Sequence, residues 1–193
     1  MRARLGSPAS YRAYEAMLHF LLPEDLKRHR EWGLFVRFCE AAKLRVNPAD
    51  VEMLDPPWPD LRADASGHSH YFELGEIVQE NWMKMRSQGR RQWVGSKPLP
   101  LTAVWSPLES ILQKKMRKGY EPKARPVSLL LYWERNAPPW SVVESLVRTR
   151  ESEIRAELEV SVFDHVWLFM VNENHVPFSL SKKPVVALGS YLL

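Results

Sequence analysis

Pro59-Asp60-Leu61-Arg62-Ala63-Asp64-Ala65-Ser66-Gly67-His68-Ser69-His70-Tyr71-Phe72-Glu73-Leu74-Gly75-Glu76-Ile77-Val78 is the stretch on which the fold turns. Residues 60–63 have the character of a strand, and residues 64–69, with Gly67 among them, that of a turn. Residues 70–78 form a second strand, whose apolar Phe72, Leu74 and Ile77 suit a buried position. Together they predict a β-hairpin. It carries one acid, Asp60, at the end of the first strand and another, Glu73, inside the second.

Outward from the hairpin, helices alternate with apolar strands. Ser7-Pro8 gives an N-cap followed by a proline at the first helical position. Tyr11, Tyr14, Leu18 and Leu21 then keep helical spacing. Pro23-Glu24-Asp25 opens a second helix, with acids at its positive end, that runs to about Leu44 and stops at Asn47-Pro48. Residues 51–54 form a short strand, and Pro56-Pro57-Trp58-Pro59 reads as stiff and extended. Residues 79–86 are helical and residues 87–100, rich in Gly and Pro, irregular. Ser106-Pro107 starts a further helix that Gly119 closes. Residues 126–133 are a continuous apolar run, as in a central strand covered on both faces. A helix from Trp140 to about Leu158, a central strand over 162–171 and an edge strand over 176–180 complete the order. The expectation is an α/β fold, a mixed β-sheet flanked by helices. It forms one domain over 1–193: a helical extension (1–23), a core (24–171), and an edge strand with a tail (172–193).

Composition sets the frame for partners. The chain has 193 residues, 45% of them hydrophobic, and a net charge of +4. That describes a globular chain large enough for a proper core, with a mild basic bias that suits nucleic acid. A single cysteine, Cys39, permits no internal disulfide and argues against structural zinc. Its place beside Phe38 on a helix face marks it as structural. No run approaches the roughly 18 apolar residues of a membrane span, and no signal-peptide core follows Arg2 and Arg4. The expectation is a cytoplasmic protein with no membrane partner, whose sheet edge leaves room for a homodimer. A phosphate-binding loop, a dinucleotide fingerprint, HExxH and a nucleophile elbow are all missing from the sequence.

The acidic pair carries the chemistry. Mg²⁺ takes oxygen ligands and keeps several waters, so one or two carboxylates and a substrate phosphate suffice to hold it. Pro59-Asp60 followed by Phe72-Glu73-Leu74-Gly75 resembles the PD-(D/E)xK motif of the restriction-endonuclease-like nucleases. The order of elements over roughly residues 24–171 is similar to that superfamily's core of helix, three strands, helix and strand (αβββαβ). The resemblance implies a metal-dependent hydrolase of DNA phosphodiester bonds, with DNA ahead of RNA as partner. Mg²⁺ or Mn²⁺ would be held by Asp60 and Glu73. It also implies a lysine two residues after the second acid, where this chain has Gly75.

Two side chains are placed to complete the site. On a helical wheel for residues 106–119, Leu108, Ile111, Leu112 and Met116 form one stripe, and Lys115 falls inside it. A lysine on a core-facing side is costly unless paired, so Lys115 is the candidate for a relocated lysine, with Lys118 beside it. On the helix that begins at Pro23, Glu31 shares a face with Leu34, Phe38 and Ala42. The resemblance implies a third acid there, facing the metal. Glu76 faces away from Glu73 on a regular strand, unless a bulge at Gly75 turns it. Lys84, Arg86, Arg90 and Arg91, flanked by Trp82 and Trp93, with Lys118, are candidates for contacts to a nucleic-acid backbone and unpaired bases. His68 and His70 belong to the hairpin turn. Simpler readings stand beside these. Asp60 as a turn acid, Glu73 paired across the hairpin with Arg62, Lys115 snorkelling and Glu31 as an N-terminal-turn acid or salt-bridge partner each need no site. The remaining alternative for the whole chain is a nuclease-like module that binds nucleic acid or protein without catalysis.

Overall fold

The computed structural model describes residues 23–65, 68–78, 101–120, 126–134 and 138–182. The helix expected from Ser7, the segment 79–100 and the tail after residue 182 lie outside the described residues. In chain order the elements are α1 (Pro23–Ala41), β1 (Val51–Met53), β2 (Leu61–Ala65), β3 (His68–Glu76), α2 (Leu101–Met116), β4 (Val127–Trp133), α3 (Trp140–Thr149), α4 (Glu151–Val160), β5 (His165–Met170) and β6 (His175–Ser181).

The six strands form one mixed sheet in the order β1-β2-β3-β4-β5-β6. β1, β2 and β3 are a meander with antiparallel pairing. β3, β4 and β5 run parallel, and β6 returns antiparallel at the edge. Parallel neighbours need long crossovers. The chain from β3 to β4 contains α2, and the chain from β4 to β5 contains α3 and α4.

Strand alternation divides the core in two. Leu129, Leu131 and Trp133 of β4 meet Leu108 and Leu112 of α2, Val143 and Leu146 of α3, and Leu158 of α4. Leu130 and Tyr132 point the other way and join Phe72, Leu74, Phe169 and the α1 residues Leu34, Phe35 and Phe38. The unbroken burial of β4 is what a strand covered on both faces requires. On the α1 side the core is aromatic: Phe38 meets Phe35, Phe72, Trp167 and Phe169 with ring centroids 5.3–6.3 Å apart.

Several local expectations differ in detail. Residues 56–58 are a turn, not an extended segment. Trp58 N–H donates to the Asp55 carbonyl, and Leu54 N–H to the Asp60 carbonyl; the chain must reverse here for Met53 to pair with Leu61. The hairpin turn is shorter than expected, because Asp64 pairs with Ser69 and Ala65 with His68. His68 and His70 are therefore strand residues, and His70 is buried. α2 begins at Leu101, with Pro107 inside it. The helix expected to run to Leu158 is two helices, divided at Arg150 (φ −103°, ψ 11°). No described helix is long and apolar enough to cross a membrane.

Phe38 is fully buried at the centre of the aromatic cluster. Phe38→Ala is expected to cost about 3–5 kcal/mol of stability, measured by urea unfolding; a cost under about 1 kcal/mol would contradict this packing.

Candidate functional site

Asp60 stands one residue before β2, and Glu73 is at the middle of β3. Leu61 pairs with Phe72, so Asp60 lies one step beyond the last pair, opposite Glu73. The ladder ends there, and Leu74 N–H donates to Asp60 Oδ2 (2.7 Å). Glu73 is 1% exposed. It points to the α2 side of the sheet, next to Leu129.

A buried carboxylate requires a cation or several hydrogen bonds. α2 supplies the cation. The Lys115 ammonium forms an ion pair and hydrogen bond with Glu73 Oε1, its side chain 14% exposed. The Lys118 ammonium reaches the same oxygen from the turn after α2 (2.6 Å), with its side chain 45% exposed. The wheel position of Lys115 is thus explained: it lies on the core-facing stripe because its charge is paired at the sheet. Arg62 does not pair with Glu73 across the hairpin; its guanidinium lies 3.2 Å from Glu52 and 3.4 Å from Asp64.

Gly75 lies directly beneath this approach of α2. A Cβ at this position would meet Leu131 Cδ2 at 2.7 Å, and Lys115 Cε at 3.6 Å. A side chain on residue 75 would enter space already taken by Leu131 and by the stem of Lys115.

Glu31 approaches from α1 on the other face. Its side chain is 14% exposed, with Lys27 at 3.6 Å. Burial raises its pKa, opposed by Lys27, and the neighbouring Asp60 raises it further. Glu31, Asp60 and Lys115 therefore share one electrostatic neighbourhood. The two central acids are driven apart. Burial and the Glu73 charge raise the Asp60 pKa. For Glu73, burial acts upward, but Lys115, then Lys118 and the Tyr120 hydroxyl, overcome it and hold the carboxyl below its ordinary value. Divergent pKa values in adjacent carboxyls are a mark of functional sites.

Tyr120 is a site residue that sequence reasoning missed. Its hydroxyl is buried, and burial and then Glu73 push its pKa up. It lies against the Glu73 carboxyl, and the same contact helps to lower the Glu73 pKa. Its ring packs edge-on against Phe163 (6.0 Å). The one available signal was its closeness in sequence to Lys118.

The remaining candidates fall elsewhere. Glu76 is ion-paired at the surface to Arg30 of α1 (3.0 Å), which also binds Glu134. The β3–β4 register is regular through Gly75 and Glu76, so no bulge turns Glu76 toward Glu73. Lys84, Arg86, Arg90 and Arg91 lie outside the described residues, as do Trp82 and Trp93. Cys39 is buried and its thiol is pushed up to about 12, consistent with a structural role.

As a metal site, the donors have the right chemistry: carboxylate oxygens suit Mg²⁺ or Mn²⁺. Among the described residues, the hydrogen bond to Asp60 is the one from Leu74 N–H to Oδ2. Among the described residues no three His, Cys, Asp or Glu side chains are grouped as a cation cage. Any cation here would depend on one or two carboxylates, with water or substrate completing its shell. Comparisons of the chain with protein-family models, with curated proteins and with solved structures found no match.

The Asp60 shift fixes a pH dependence. Its folded pKa lies above the ordinary 3.8, so its ionisation opposes folding as pH rises through that folded value. Asp60→Asn keeps an acceptor for Leu74 N–H and removes the charge. It is expected to be more stable than the wild type at pH 7, with the advantage gone near pH 3, in thermal melts at both pH values. A variant less stable at pH 7 would contradict the electrostatics described.

Proposed function

We propose that this chain has a restriction-endonuclease-like core and is a metal-dependent nuclease that hydrolyses DNA phosphodiester bonds. The element order supports the fold assignment: α1, three strands, α2 and β4 follow one another as in the αβββαβ core. The observation that carries the functional reading is the Lys115–Glu73 pair beside Gly75. A lysine from α2 passes 3.6 Å from where a Cβ of residue 75 would stand, beside the position where the PD-(D/E)xK pattern has its own, and reaches Glu73.

Asp60 and Glu73 would hold Mg²⁺ or Mn²⁺, which when bound would polarise the scissile phosphate and lower the pKa of an attacking water; Glu31, not grouped with them as a third ligand, would act on that cation only through its charge. Lys115 supplies a fixed positive charge for the negative charge that develops on the phosphoryl oxygens. Lys118, more exposed, is placed to meet a backbone phosphate. The net charge of +4 favours a polyanionic partner.

A second reading has one observation in its favour. Lys115 and Lys118 already neutralise Glu73, as they would in a nucleic-acid-binding module that does no chemistry.

A cleavage assay on single- and double-stranded DNA and RNA, with Mg²⁺ or Mn²⁺, separates the two. The expected result is metal-dependent DNA cleavage that falls by about 10²–10³-fold in Lys115→Ala, the range for loss of one transition-state donor, and at least as far in Asp60→Ala. DNA binding with no cleavage under any metal would establish the second reading, and an Asp60→Ala protein that cuts like wild type would remove these acids from the chemistry.

A further inference from the structure

Glu73 carries a single negative charge but meets two ammoniums on the same oxygen. Lys115 and Lys118 both donate to Oε1, and a carboxylate oxygen has about two lone-pair sites. Oε1 is therefore full. The Tyr120 hydroxyl lies against the same carboxyl. Lys115 alone matches the charge of Glu73, so Lys118 is the surplus cation. With Lys115, it also opposes the rise in the Asp60 pKa. Lys118 thus acts on both carboxyls of the acidic pair, as a metal held by them would.

The two lysines differ in what holds them. Lys115 is enclosed: its side chain is 14% exposed, and its Cε lies 3.6 Å from where a Cβ of residue 75 would stand. Lys118 is 2.6 Å from Oε1, yet 45% of its side chain is exposed. It belongs to the turn after α2, where its N–H donates to the Lys115 carbonyl (2.9 Å). Gly119, next to it, has nothing within 4 Å of where a Cβ would stand, so the turn has open space around it. Lys118 is therefore able to regain water without disturbing the core, and Lys115 is not.

A divalent cation on Glu73 would meet like charge from both ammoniums at close range, a repulsion that grows as water is excluded. We propose that Lys118 is a tethered stand-in for the metal: it holds the cation's place on Glu73 in the metal-free protein and withdraws into solvent when Mg²⁺ or Mn²⁺ binds. Lys115 and Tyr120 stay on the carboxylate, and no covalent bond changes. Lys118 is then a positioning residue that acts through Glu73 and sets how tightly metal is held. The inference rests on the metal-dependent reading of the site, and it gives Lys118 a role before any DNA is present.

The test measures Mn²⁺ binding without DNA, from the paramagnetic resonance signal of the free ion. Lys118→Gln should tighten the Kd about fivefold, the upper worth of an exposed ion pair. Lys114→Gln removes the same charge from an exposed position of α2 and should leave the Kd unchanged. A second readout needs no variant. Reductive methylation of the wild-type protein, followed by peptide mass spectrometry, should modify Lys118 several times faster in saturating Mn²⁺ than in EDTA, with Lys114 unaffected. Mn²⁺ bound by Lys118→Gln but not by the wild type would be the same result in stronger form. Mn²⁺ bound by the wild type, with Lys118→Gln no tighter than Lys114→Gln or with Lys118 methylated at an unchanged rate, would overturn the stand-in and leave the metal reading intact. Mn²⁺ bound by neither the wild type nor Lys118→Gln would overturn both.

Discussion

The structure depends on a negative charge placed inside its sheet. Glu73 is in a central strand, 1% exposed, with β2 on one side and β4 on the other. A carboxylate there is tolerable only if cations are brought to it. Both come from α2 and the turn that follows, so the burial of Glu73 and the docking of α2 on the sheet are one requirement. Leu108, Leu112 and Met116 secure the apolar face of that helix, and Lys115 on the same stripe determines which part of the sheet it faces. Gly75 makes the approach feasible: with no side chain of its own, it leaves room for Leu131 and the lysine stem to pass.

The same arrangement creates an electrostatic asymmetry at the end of the β2–β3 ladder. The charge on Glu73 is satisfied twice. Asp60, one hydrogen bond from Leu74 N–H and next to that charge, is held toward protonation. Glu31 adds a third acid from the opposite face, with only a partly exposed ion pair to Lys27. The result is an acidic centre that is unfavourable for ionisation on one side and fully neutralised on the other. A stable fold has no need of such a combination, since apolar residues would pack there without penalty; adjacent carboxyls driven apart in this way mark a candidate functional site.

How much of this was legible in the sequence follows from the periodicity of each element. The hairpin and β4 were visible because strand alternation and a continuous apolar run are local signals. Lys115 was visible because a cation in an apolar stripe is an anomaly that the helical wheel exposes, and Glu31 for the same reason on α1. The start of α2 was misplaced because Ser106-Pro107 has the form of a helix N-terminus, yet Val104 extends the buried stripe backwards past it. The division at Arg150 was hidden because the buried positions Val143, Val147, Ile154 and Leu158 stay nearly in phase across it. Tyr120 could not be found, because it follows the end of a helix where no period predicts a direction. Its place depends on Phe163, far away in sequence.

The central claim is that Glu73 is ionised inside the sheet because Lys115 is paired with it. A ¹³C NMR titration of the Glu73 side-chain carboxyl, in wild type and in Lys115→Ala, tests this most directly. The wild-type carboxyl should titrate below the ordinary glutamate value of 4.5, and the midpoint should move upward in Lys115→Ala, where desolvation is opposed only by Lys118 and the Tyr120 hydroxyl. A wild-type Glu73 that titrates above the ordinary value, or a midpoint unmoved by removal of Lys115, would contradict the account.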